Sequence, residues 1–77
     1  LYSVEEAAKR LRNLISSMSD WTVLQHFLPP NLSSPMDVRS ATASHFVASL
    51  ELAREGLLRL RQDSHFAPIY LKTRDQE

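Results

Sequence analysis

The chain has a single glycine, Gly56, and this glycine ends the longest helix that the sequence predicts. The helix begins after Ser34, because a serine cap, Pro35 at the first position and Asp37 in the first turn are typical helix-start residues. It runs to Glu55, where Gly56 accepts the left-handed conformation that stops a helix.

The predicted long helix has a wide apolar side. At about 100° per residue, its apolar and small side chains spread over roughly 220° of the helix. They are Val38, Ala41, Thr42, Ala43, His45, Phe46, Ala48, Ser49, Leu50, Leu52 and Ala53. One neighbouring element cannot cover such an arc, so we expect the helix to pack between another helix and a sheet.

Two segments after Gly56 alternate between apolar and polar residues, as β-strands do. The inward residues are Leu58, Leu60, Ile69 and Leu71, and the outward residues are Arg59, Arg61, Tyr70 and Lys72. The sequence DSHFAP between the two segments is rich in turn residues. The two segments and the turn between them predict a β-hairpin. A polar tail that frays is predicted after it, over 73–77.

The first half of the chain predicts three smaller elements. Ser3 and Glu6 have the spacing of a capping box, and apolar residues then recur on one helical face. Residues 21–23 favour one rung of a sheet, and 24–28 favour a short helix that two prolines stop. This order predicts an α+β winged helix over 1–77, with three helices and a C-terminal hairpin as the wing. We expect this single domain to be a fragment of a longer protein.

Composition and charge disfavour several functions. Nine basic residues balance nine acidic ones, whereas proteins that bind duplex DNA usually carry excess positive charge. The chain has no cysteine for a disulfide or a thiolate zinc site, and one glycine is too few for a phosphate-binding loop. No segment resembles a signal peptide or a membrane span, so we expect a cytoplasmic protein without a membrane partner.

The residues that could support catalysis or metal binding are scattered. His26, His45 and His65 lack the spacing of metal ligands. Asp37 or Asp63 could be joined with a histidine and a serine in a triad, but no strained nucleophile turn supports one. We therefore expect a non-enzyme with no catalytic residues, no metal site, no cofactor and no small-molecule substrate.

The segment ASLELAREGLLRLRQDSHFAPIYLK, residues 48–72, resembles the C-terminal end of the bacterial kleisins of the segregation and condensation protein A family. Members have a helix ending in a Leu-Glu-Leu-Ala-like run, a strand ending in Gln, an acidic turn, a Phe and an Ile-Tyr/Leu-Leu strand. The matching positions are Leu50, Glu51, Leu52, Ala53, Leu60, Gln62, Phe66, Ile69 and Leu71.

The resemblance implies a docking function. Kleisins bridge the two heads of a dimeric SMC ATPase, and their C-terminal domain binds one head. They also bind segregation and condensation protein B through a middle region, which is absent from these 77 residues. The whole assembly condenses and segregates the chromosome. We therefore expect a nucleoid-associated protein-docking module that meets DNA only through the complex.

The docking residues are predicted from their expected exposure. They are Val47, Arg54, Arg59, Arg61, Phe66, Tyr70 and Lys72. Val47 is the one sizeable apolar residue on the polar arc of the long helix. Phe66 either packs beneath the hairpin, which we favour, or faces a partner. The outward hairpin residues could instead form a solvated face, or they could bind an acidic or mixed protein partner or nucleic acid.

Two other functions stay open. A winged-helix DNA-binding domain of a transcription regulator would place the long helix in the major groove. The exposed arc of that helix carries Glu51 and Glu55 beside Arg54, and Asp63 lies at the wing tip, so the charges disfavour this function. A self-associating structural domain would pair through Val47 or through the open edge of the hairpin.

Overall fold

The computed structural model describes residues 2–74, which form two α-helices and a three-stranded antiparallel sheet. The helices are α1 (Val4–Ile15) and α2 (Pro35–Arg54), and the strands are β1 (Thr22–Val23), β2 (Leu58–Arg61) and β3 (Tyr70–Thr73). Neither helix has the length and apolar character needed to cross a lipid bilayer.

The prediction of three helices with a hairpin wing is wrong, although the structure is a small α+β fold. Where the third helix was expected, the chain makes one 3₁₀ turn, Leu24–Phe27. Leu28 is extended, with φ −69° and ψ 149°, because a residue before proline avoids the helical region. The strands are not a two-stranded wing either, because β1 joins them and pairs with β3.

The sheet has the order β1-β3-β2, so β3 is its central strand. Leu71 of β3 lies opposite Thr22 on one side and opposite Leu60 on the other. Leu58 and Leu71 are buried, whereas Arg59 and Arg61 are exposed. The alternation predicted for β2 and β3 is confirmed by this pattern, and it gives the sheet an inner apolar face and an outer polar face.

The predicted start of the long helix is confirmed, and its end lies one residue before the predicted Glu55. The Ser34 hydroxyl accepts a hydrogen bond from the Asp37 backbone N–H at 3.1 Å, and Pro35 is the first helical residue. The helix ends at Arg54, and Gly56 has φ 84°.

The wide apolar arc of α2 packs against α1 on one side and the sheet on the other, as predicted. The largest fully buried side chains of the domain are Leu11, Leu24, His45, Ser49, Leu52 and Leu71. Three residues predicted to face inward do not: Val38 is 42% exposed, Leu50 is 45% exposed, and Ala43 is also exposed. The arc therefore extends beyond what α1 and the sheet cover.

Replacing Gly56 with alanine is expected to destabilise the domain by about 1–2 kcal/mol, the cost of a left-handed backbone for a residue with a Cβ. The cost is conformational rather than steric, because a Cβ at this position would meet the Arg74 guanidinium at an ordinary 3.8 Å. Urea unfolding measures the loss. Gly56→Asn should lose less, since asparagine tolerates this region, and equal losses for the two variants would contradict the explanation.

The end of β3 is tied to the rest of the domain. Thr73, which was predicted in the fraying tail, donates its hydroxyl to the Ile15 carbonyl at 2.5 Å. The Arg74 backbone N–H donates to the Leu57 carbonyl at 3.2 Å. The rest of the predicted tail, 75–77, lies outside the described residues.

Candidate functional site

The candidate catalytic residues are held apart. Asp37 accepts a hydrogen bond from the Ser33 hydroxyl at 3.1 Å, and Asp63 accepts one from Arg61 at 3.1 Å. His26 is exposed on the 3₁₀ turn, and His65 is exposed in the β2–β3 loop. Within residues 2–74, no three histidine or carboxylate side chains lie close enough to hold a metal ion.

His45 is the one histidine that the fold buries. It lines a recess of about 540 Å³ between α1 and α2, together with Glu6, Lys9 and Arg10. Its Nδ1–H donates to the Ala41 carbonyl at 2.7 Å, and its Nε2 has no protein partner among the described residues. Burial lowers the pKa of His45 below 6.5; the Ala41 carbonyl opposes this shift, and the Arg10 charge adds to it.

The stability of the domain is expected to fall as the pH drops below about 6.5, because the unfolded chain then protonates His45 before the folded chain does. The loss can reach about 1.4 kcal/mol per pH unit between the two pKa values. Urea midpoints from pH 7.5 down to about 5.5 measure it. His45→Gln should flatten the slope, whereas exposed His65→Gln should keep it. The same slope in wild type and in His45→Gln would contradict this prediction.

The structure divides the predicted docking residues into three groups. Four of them, Arg59, Arg61, Tyr70 and Lys72, lie on the outer face of the sheet. Phe66 lies in the β2–β3 loop, and Val47 and Arg54 lie on the exposed side of α2. The structure thus brings together the four residues of β2 and β3. The seven predicted docking residues do not form a single surface.

Cations surround an aromatic ring on the outer face of the sheet. The guanidinium carbons of Arg59 and Arg61 are each 5.8 Å from the centre of the Trp21 ring, and the Lys72 ammonium is 6.0 Å from it. Tyr70 lies beside them, opposite Arg61. We call these five residues the cationic sheet face.

A second surface lies where α2 approaches the β2–β3 loop. A recess of about 630 Å³ opens there, and a smaller one of about 190 Å³ adjoins it and shares two lining residues, Phe46 and Ile69. Nine larger apolar residues line the two recesses: Val23, Leu24, Val38, Phe46, Leu50, Leu60, Phe66, Pro68 and Ile69. We call this surface the α2–loop groove; two cations, Arg39 and Arg61, also line it.

Phe66 is the unusual residue of the groove. It is the third residue of a turn that the Ala67 N–H closes onto the Ser64 carbonyl at 3.1 Å, and its φ is 64°. Glycine or asparagine is preferred there, because a positive φ is costly for a residue with a bulky side chain. The ring is fully exposed, so the expectation that Phe66 packs beneath the hairpin is wrong.

The exposed side of α2 carries paired charges around one apolar residue. Val47 is 46% exposed and lies one turn before Leu50, which lines the groove. Arg54 is 4.0 Å from Glu51 on the same helix, and Glu55 accepts a hydrogen bond from Arg12 at 2.8 Å. This side of the helix therefore offers no cluster of unpaired cations to a DNA backbone.

Sequence reasoning missed several residues of these surfaces, Trp21, Val38 and Leu50 among them. Trp21 was assigned only to a short strand; pairing β1 with β3 places it near Lys72, which no local pattern indicates. Val38 and Leu50 were assigned to the core because they fall within the apolar arc. The width of the apolar arc could have indicated their exposure, because two neighbouring elements cannot cover all of it.

The chain was compared with protein-family models, with curated proteins and with solved structures, and no match was found in any of the three.

Proposed function

We propose that this domain is a non-catalytic docking module that binds the ATPase head of an SMC protein through the α2–loop groove. The observation that carries the proposal is Phe66, a large aromatic side chain presented to solvent from a strained backbone. Strain of this kind is concentrated at sites of function. The kleisin resemblance of residues 48–72 supplies the partner.

The groove has the composition of a small protein interface. An aromatic anchor near the centre of an interface typically dominates its binding energy. Here Phe66 and half-exposed Val38 line one recess, and half-exposed Leu50 lines the recess that adjoins it, so a partner would cover a continuous apolar surface. Arg39 and Arg61 at the lining would favour acidic groups around the apolar pocket of that partner.

Docking would fix one end of the kleisin to one SMC head and so help to close the ring, while ATP hydrolysis stays in the head. Segregation and condensation protein B would bind through a region beyond these 77 residues. The proposal thus includes association with the nucleoid, and with DNA only through the complex.

Calorimetric titration of the domain into an SMC head domain from the same genome tests the proposal. Saturable one-to-one binding with a Kd of about 1 μM or tighter is the expected result. A Val4→Ala variant is the control and should bind the head as the wild type does. It removes an exposed apolar side chain from α1, outside the groove. Absence of binding to a head that binds ATP, with a folded domain, would contradict the proposal.

A further inference from the structure

The cationic sheet face carries a like-charge contact that no ion pair within the described residues neutralises. Arg59 and Lys72 are directly opposite each other on neighbouring strands, an arrangement that destabilises an antiparallel pair. Arg61 adds a third cation near the same ring and pairs with Asp63. The ion pairs found within residues 2–74 include neither Arg59 nor Lys72. An anionic ligand across this face would relieve the repulsion.

The aromatic residues narrow the class of anion. A cleft of about 230 Å³ is lined by Trp21, Tyr70, Arg61 and Asp63, so two aromatic rings and a guanidinium border one opening. Bases of a single strand stack on such groups while their phosphates lie against cations. A duplex hides the faces of its bases, and an acidic peptide would use the cations but not the rings.

We infer that the cationic sheet face binds single-stranded nucleic acid, with phosphates against Arg59 and Lys72 and a base in the cleft beside Trp21. Asp63, the one carboxylate of the cleft, is paired with Arg61 and can accept a hydrogen bond from a base amino group. The inference does not depend on head docking, because the α2–loop groove shares only Arg61 with this face.

Fluorescence anisotropy with labelled oligo(dT) and oligo(rU) tests the inference, with a duplex of equal length and polyglutamate as comparison ligands. At about 50 mM salt we expect Kd values for the single strands in the range of roughly 10⁻⁴–10⁻⁶ M. The two phosphate contacts at Arg59 and Lys72 predict a slope of log K against log salt of about −1.4. Stronger binding of dT than of rU, or the reverse, identifies DNA or RNA as the preferred strand.

Substitutions test the contributions of the cations and of the Trp21 ring to binding separately. Arg59→Gln with Lys72→Gln should reduce the salt slope to nearly zero, because neither phosphate contact remains. Lys9→Gln with Arg54→Gln removes the same net charge elsewhere and should leave the slope unchanged. Trp21→Ala should weaken single-strand binding roughly 5- to 150-fold, the loss typical of one stacked base. If that variant fails to fold, the charge variants alone decide the test.

Three results would overturn the inference. They are no binding of either single strand, polyglutamate or duplex binding as tight as single-strand binding, and equal losses in the two charge variants. Phe66→Asn should bind oligo(dT) as the wild type does, because it changes only the groove. A failure of head docking therefore leaves this test informative, and a failure of this test leaves the docking proposal standing.

Discussion

Replacing Phe66 with asparagine is expected to weaken binding to the SMC head and to stabilise the free domain. Loss of an aromatic anchor costs about 2 kcal/mol or more, which is roughly 30-fold or more in Kd. Asparagine accepts the positive φ of this turn, and the relief of about 1 kcal/mol should raise Tm by about 4–8 °C in a domain of this size. Calorimetric titration and thermal unfolding followed by circular dichroism measure the two changes.

Phe66→Ala is the matched control for this result. Alanine also lacks the ring, so the affinity should fall as far, but it keeps a Cβ at a positive φ, so Tm should rise less than with asparagine. A higher Tm with unchanged affinity would place the docking site away from the α2–loop groove. A lower Tm for both variants would show that the ring packs within the domain.

The same chemical change, leucine to alanine, is expected to lower stability at one position and head binding at another. Leu11→Ala removes a fully buried side chain between α1 and the rest of the core, so it should cost about 2–5 kcal/mol. A chain of 77 residues has a total stability of roughly 4–12 kcal/mol. This one substitution should therefore remove a large share of the stability, and urea unfolding measures it.

Leu50→Ala should change stability by less than about 1 kcal/mol, because Leu50 is nearly half exposed and alanine has the higher helix propensity. It should instead weaken head binding, since Leu50 lines the α2–loop groove. Equal destabilisation by the two variants would contradict the placement of Leu50 on the surface. A Leu11→Ala domain as stable as the wild type would contradict the assigned core.

Local signals predicted the elements that are defined by their own residues. The Ser34 cap and Gly56 bounded α2, and strand alternation assigned the faces of β2 and β3. The count of helices failed because a stretch of four residues before two prolines cannot complete an α-helical turn. A strand at residues 21–23 was predicted, but its partner was not, because the pairing of β1 with β3 joins positions far apart in the chain.

The candidate surfaces were less predictable than the fold. Alternation placed Arg59, Arg61, Tyr70 and Lys72 on one face, but it says nothing about a loop. The exposure of Phe66 depends on the backbone of a turn, for which its residue type is a poor guide. The convergence of cations on Trp21 depends on sheet order, and the exposure of Leu50 depends on where its neighbours end.

Fluorine labelling of the three phenylalanines tests the docking account most directly, because they differ in exposure. Phe27 is buried, Phe46 is half-buried and Phe66 is fully exposed in the free domain. The measurement is the shift of each ¹⁹F resonance between H₂O and D₂O, with and without a saturating SMC head. We expect the Phe66 shift to be large in the free domain and to vanish in the complex, while Phe27 shows none in either state. A Phe66 resonance that keeps its solvent shift in the presence of the head would contradict the account.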